Sequence, residues 1–168
     1  MASRSLDDLR EPIRGLAAQL RDRYNEPEGE ELLIYSTLRT MEDQARLYRQ
    51  GRSLQQIERK AEELRTRWGR PDLAEILLNV GPQFGRKVTF AGPGQSMHNY
   101  GLAFDSVPLR HGKPVWQTTK PEDRALWQRY GRLGVELGLE WAGNWTRFRE
   151  FPHMQEAGAR WQDLIRQG

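Results

Sequence analysis

The spacing of apolar residues changes period along this chain, and that change limits the fold more than any other feature. Leu6, Leu9, Ile13, Leu16 and Leu20 recur at three- and four-residue steps, the mark of one helix face over residues 5–24. Pro12 kinks that helix or marks a restart. Leu54, Ile57, Ala61, Leu64 and Trp68 repeat the step after Ser53, with Gln56 completing a capping box. Leu126, Trp127, Tyr130, Leu133 and Leu137 repeat it behind Pro121, a residue suited to a first helical turn. Two runs break the step. LLIYST (32–37) is short, apolar and rich in β-branched and aromatic residues, as in a buried strand. LAFDSVP (102–108) alternates with period two. Helices segregated from a few short strands predict an α+β domain.

Punctuation refines the reading. Thr40 caps a helix that Asp43 answers and Gly51 ends. GRP stops the long helix, and DLAEILLN forms a shorter one. Residues 80–95 are rich in Gly and predict irregular chain with room for one brief strand. RHGKPVW predicts a hairpin turn and a short strand, and EAGARWQDLIRQG a short terminal helix. The 168 residues suit one domain, 1–168. Cysteine is absent, which excludes disulfides and thiolate metal sites. No apolar run approaches the ~18–20 residues that span a bilayer. MASRSLDDLREPIRG has acids where a signal peptide needs an apolar stretch, so synthesis in the cytoplasm without a standard signal is expected. Net charge is +3, and 22 of the 26 basic residues are Arg. That balance favours an anionic partner, or else simply reflects Arg alternating with acids on solvated helix faces. No helix shows an uninterrupted basic face, so nucleic acid is not an expected partner.

The segment SMHNYGLAFD (96–105) carries the chemistry. His98 is one of three histidines. It falls in a turn that Gly101 lets fold back, just before a strand whose alternation puts Ala103, Asp105 and Val107 on one face. Ala103 leaves space beside Asp105, so an imidazole and a carboxylate can converge. A zinc site needs at least one more ligand, and a catalytic one keeps a position open. His111 sits in a turn-like stretch and reads as a solvated loop residue. His153, in REFPHMQ, is extended by its neighbour Pro152 and lies among Trp141, Trp145, Phe148 and Phe151. It is a ligand, or a core histidine held by a backbone hydrogen bond. Glu150, three residues earlier, is a surface carboxylate paired with Arg147 or Arg149, or an acid that takes a proton from water and returns it to a leaving amine. Zinc lowers the pKa of water from ~15.7 to about 7, which supplies the nucleophile at neutral pH.

Ser96, His98, Gly101, Ala103 and Asp105 fit S-x-H-x-x-G-x-A-x-D, and Glu150 with His153 forms a downstream E-x-x-H. This pattern resembles the VanY-like zinc D-alanyl-D-alanine carboxypeptidases. WAGNWTRFREFPHMQ is similar to the tryptophan-rich segment of their phage L-alanyl-D-glutamate endopeptidase branch. STLRTMEDQARLYRQGR resembles the family's Arg-bearing segment. Asn144 stands where the phage pattern has Asp. The resemblance implies a small antiparallel sheet carrying the metal site, flanked by helices, as in hedgehog and D,D-peptidase folds. It also implies Zn2+ held by His98, Asp105 and His153. Glu150 would be general base and acid, and Arg39 would hold the scissile carbonyl and its developing oxyanion. Ser96 and Gln44 would support or bind substrate. The implied function is endolysin-like hydrolysis of the peptidoglycan stem peptide by a monomer acting in the periplasm or cell wall after holin-type release. Removal of terminal D-Ala, and a zinc-containing module that only binds, are the alternatives.

Overall fold

The computed structural model describes residues 2–168, which fall into two compact units. The first comprises Arg39–Tyr100 and Arg160–Gly168, with Ala2. Its helices are α2 (Met41–Arg49), α3 (Leu54–Thr66), α4 (Pro71–Asn79) and the short α6 (Trp161–Leu164). Their starts are chemically marked. The Thr40 hydroxyl accepts the Asp43 N–H at 3.1 Å, and Ser53 and Gln56 close a reciprocal capping box. Such caps contribute about 1 kcal/mol each. The apolar stripes bury Tyr48, Ile57, Leu64, Trp68, Leu73 and Leu77 in one core with Ile165. Each large side chain removed from water stabilises the fold by roughly 1.5–3 kcal/mol before entropy is counted. Trp68 is buried although it lies beyond the end of α3, and its ring meets Trp161 edge-on at 5.0 Å.

The brief strand expected within residues 80–95 is not present there. Pro82 and Pro93 lack an N–H for a ladder, and side chains take the carbonyls instead. Arg52 donates to Thr89 O at 2.7 Å, and Gln44 donates to Ala91 O at 2.8 Å.

The second unit comprises Ser3–Leu38 and Gly101–Ala159. It contains α1 (Ile13–Tyr24), β1 (Glu31–Ser36), β2 (Ala103–Arg110), β3 (Lys113–Pro114), α5 (Pro121–Glu136), β4 (Leu139–Trp141) and β5 (His153–Glu156). The helix expected over 5–24 is interrupted. A 3-10 turn at Leu6–Asp8 ends at Leu9, and α1 restarts behind Pro12. All strand pairs are antiparallel, in the order β1-β2-β5-β4, with β3 pairing β2. Phe104 and Met154 face each other across β2 and β5 and are fully buried, which leaves Asp105 and His153 paired on the ladder beside them.

Two glycines of α5 set how closely it approaches the sheet. A Cβ on Gly131 would lie 2.1 Å from the Trp141 ring, and one on Gly134 would lie 2.2 Å from Met154 Cε. Gly143 faces the same indole, with a Cβ position 2.2 Å from it. Trp141 therefore occupies a slot that a methyl group would close.

Candidate metal centre

In the first unit, His98 lies on a 3-10 turn, Met97–Tyr100, and is 3% exposed. The Ser96 hydroxyl accepts the His98 N–H at 3.3 Å, so it shapes the turn. Arg39 is tied to the same turn from both sides of its peptide unit. Its N–H donates to His98 O at 3.0 Å, and its carbonyl accepts from the Asn99 amide at 3.0 Å. The Arg39 guanidinium donates to Gln44 Oε1 at 3.0 Å. Gln44 is fully buried, and its amide nitrogen is used on Ala91 O. Its contacts therefore run to Arg39 and the backbone.

In the second unit, Gly101 adopts φ +69°, and a Cβ there would meet Asp8 O at 3.0 Å. Only glycine takes that bend without strain. β2 then presents Asp105 directly opposite His153 of β5. The approach to His153 is pinned by its neighbours. Pro152 O accepts from Tyr130 Oη at 2.7 Å and from the Ser106 N–H at 3.1 Å, while Phe151 O accepts from the Trp141 indole at 2.8 Å. His153 Nδ1 stands 3.2 Å from Asp105 Oδ1 and 4.0 Å from Glu150 Oε2. Trp145 packs on the imidazole at 5.7 Å, whereas Phe148 is exposed, with φ +53°. Glu150 is open to solvent, its side chain 60% exposed. Burial is the largest influence on His153 and opposes its charged form. The Asp105 hydrogen bond and charge, with Gln155 and Glu150, outweigh it and raise the imidazole pKa above its ordinary value.

His98, Asp105 and His153 each offer one ligand atom, and these atoms lie within 4.8 Å of one another. Among the described residues no other group of three or more His, Asp or Glu side chains meets this condition. Tetrahedral bonds of about 2.0–2.2 Å put the ligand atoms of one zinc roughly 3.3–3.6 Å apart, so atoms within 4.8 Å of one another reach a shared cation after a small side-chain adjustment. Two imidazoles and one carboxylate form the N/O donor set of a three-ligand zinc site, which keeps a coordination position for reaction. His111 is outside the group. It occupies the β2–β3 turn with φ +52°, exposed. Gln155 and Glu140 were not among the expected residues, yet Gln155 Oε1 stands 2.9 Å from His153 Nε2. The two-residue step from His153 to Gln155 was readable as a shared strand face. Glu140 joins through strand pairing, which one sequence does not display.

Comparison with known proteins adds three kinds of similarity. Residues 91–156 match the D-alanyl-D-alanine carboxypeptidase family, a span that holds His98, Asp105, Glu150 and His153 but not Arg39 or Gln44. The chain is 27% identical over 131 residues to the peptidoglycan L-alanyl-D-glutamate endopeptidase CwlK of Bacillus subtilis. That match covers 76% of this chain and 61% of the relative, so the chain spans about three fifths of the relative's length. Among solved structures, the L-Ala D-Glu endopeptidase ChiX of Serratia marcescens aligns at 17% identity and TM-score 0.48, covering 98% of this chain and 92% of that one. A vancomycin-resistance D,D-pentapeptidase VanY, in complex with Zn(II), aligns at 17% identity and TM-score 0.48, covering 95% and 79%.

Proposed function

We propose that the chain is a member of the D-alanyl-D-alanine carboxypeptidase family that residues 91–156 match, and that it is a zinc peptidase cleaving the peptidoglycan stem peptide between L-Ala and D-Glu. One observation carries the reading: the ligand atoms of His98, Asp105 and His153 lie within 4.8 Å of one another, beside a carboxylate that faces solvent. These three residues would hold the metal. Bound zinc supplies Lewis acidity, which polarises a carbonyl and makes water acidic enough to serve as nucleophile near neutral pH.

The remaining steps belong to the protein. The Glu150 carboxylate accepts the proton of the attacking water and hands it to the amine as the C–N bond breaks, leaving a carboxylate and a free amino group. Its exposure lets it meet a polymeric substrate, and its place near His153 keeps it beside the reacting water. The Arg39 guanidinium holds the scissile carbonyl oxygen and offsets the charge that grows on it. Gln44 acts through Arg39, by the hydrogen bond that orients the guanidinium. Ser96 acts through His98, by shaping the turn that carries it.

The choice of bond is supported by the name of the Bacillus subtilis relative and by the tryptophan-rich segment around Trp145. The description of the matched family favours a second reading, removal of terminal D-Ala. Digestion of purified muropeptides, read by mass with and without chelator, separates them. We expect new D-Glu amino termini, lost on chelation. Released D-Ala would favour the second reading, and chelator-resistant cleavage would overturn the metal mechanism. We also infer an endolysin-like lytic role after holin-type release. Co-expression with and without a holin, followed as culture lysis, tests it.

A further inference from the structure

The geometry points to Glu140 and Gln155 as a pair of positioning residues that fix which nitrogen of His153 faces the metal. The inference rests on the reading of His153 as a metal ligand. β5 carries His153 and Gln155 two residues apart, so both side chains leave the same face of the sheet. Gln155 is paired with Ala103 on β2 and with Glu140 on β4, while His153 is paired with Asp105. Ala103, Gln155 and Glu140 thus form one row across three strands, with Asp105 and His153 in the next row on the same face, and Ala103 leaves room for the long glutamine.

The row has a direction. Glu140 is acceptor-only as a carboxylate, so it takes the amide nitrogen of Gln155. That contact is 3.3 Å, from Gln155 Nε2 to Glu140 Oε2. The amide oxygen is then turned toward His153, at 2.9 Å from Nε2. An amide oxygen can only accept, so Nε2 must carry the ring proton. A neutral imidazole has one such proton, and the lone pair is therefore on Nδ1. Nδ1 is the nitrogen that faces Asp105 Oδ1 at 3.2 Å and Glu150 Oε2 at 4.0 Å. When the imidazole is protonated, Nδ1–H meets Asp105 instead, and a bound cation takes the place of that proton.

Two features hold the far end. The Trp145 indole donates to the same Glu140 Oε2 at 3.1 Å, and its ring lies on the imidazole, 5.7 Å between centroids. His153 and Gln155 are each 7% exposed, so bulk water is poorly placed to substitute for the amide. Without Glu140 the amide can turn over and offer its NH2 to Nε2, which favours the opposite tautomer. Outer partners of metal-bound histidines are typically worth about 10- to 100-fold in metal affinity.

The test uses the purified full chain and two readouts, zinc affinity by competition with a chromogenic chelator and the imidazole 15N shifts of the metal-free protein at a pH where His153 is neutral. Gln155→Leu should weaken zinc binding about 10- to 100-fold and erase the Nε2–H preference of His153. Gln155→Glu, which keeps an acceptor at that place, should retain the tautomer. Glu140→Leu should mix the tautomers, and adding it to Gln155→Leu should cost nothing more. Should Gln155→Leu fail to fold, Glu140→Leu carries the test alone. Unchanged affinity and unchanged tautomer in the folded variants would overturn the pairing. His153→Ala distinguishes the underlying reading: if it binds zinc as tightly as the native chain, the ligand assignment has failed rather than the positioning pair.

Discussion

Glu150 and His153 lie three residues apart, and their surroundings set them to different tasks. Glu150 is exposed and His153 is buried against Trp145. Glu150→Gln keeps the size of the side chain and removes its basicity. We expect turnover on stem peptide to fall about 10²- to 10⁴-fold, the usual range for a positioned acid-base group. Zinc affinity should stay near native in the same variant. A protein that only binds peptidoglycan would be indifferent to the change. His153 makes a second prediction, for the metal-free protein. Its pKa is raised, so the folded chain holds the proton more tightly than the unfolded chain. That stabilisation is complete below an unfolded value of about 6.5 and fades as pH rises through the raised folded value. Thermal melts of chelator-treated protein, stepped in pH, should show this loss above about 6.5, and His153→Ala should flatten it.

At the scale of elements, the slot around Trp141 decides how α5 lies on the sheet. Gly131→Ala gains up to about 1 kcal/mol of helix propensity. It also drives a methyl group to 2.1 Å from a buried indole. The ring cannot retreat, because Gly143 faces it and its N–H is bonded to Phe151 O. Overpacking typically costs about 1–3 kcal/mol, so it wins. We expect a lower midpoint in urea with an unchanged slope. An unchanged or higher midpoint would show that the slot is looser than its distances indicate. This slot was not legible in the sequence, since Gly131 and Gly134 look like weak points in a helix until Trp141 and Met154 arrive from distant strands. The helices themselves were legible. Thr40, Ser53 and Pro121 announce their own starts through local chemistry, and the structure places α2, α3 and α5 directly after or on them. Residues 80–95 misled for the converse reason. Arg52 and Gln44, remote in sequence, claim the carbonyls that a strand would have used.

For the whole chain, the absence of cysteine leaves imidazole and carboxylate as the strong ligands available. Metal that binds only the folded state stabilises it by mass action, about 2.7 kcal/mol at a hundred times Kd. For a chain of 168 residues this corresponds to a rise in Tm of roughly 5–10 °C. Scanning calorimetry with saturating zinc should show it, chelator should reverse it, and His153→Ala should abolish it. In the sequence, the turn at Gly101 brings His98 and Asp105 together, whereas His153 joins them only through the resemblance of its E-x-x-H motif to a known family. The Glu140–Gln155 row was not legible, because it depends on which strands lie side by side. Antiparallel pairing also acts as a ruler here. Directly opposed residues hold their Cβ atoms roughly 4.5–5.5 Å apart whatever joins the strands. The distance between the Asp105 and His153 donors is thus inherited from the backbone ladder, and the loops among the 47 residues between them can lengthen or shorten over evolution without retuning it.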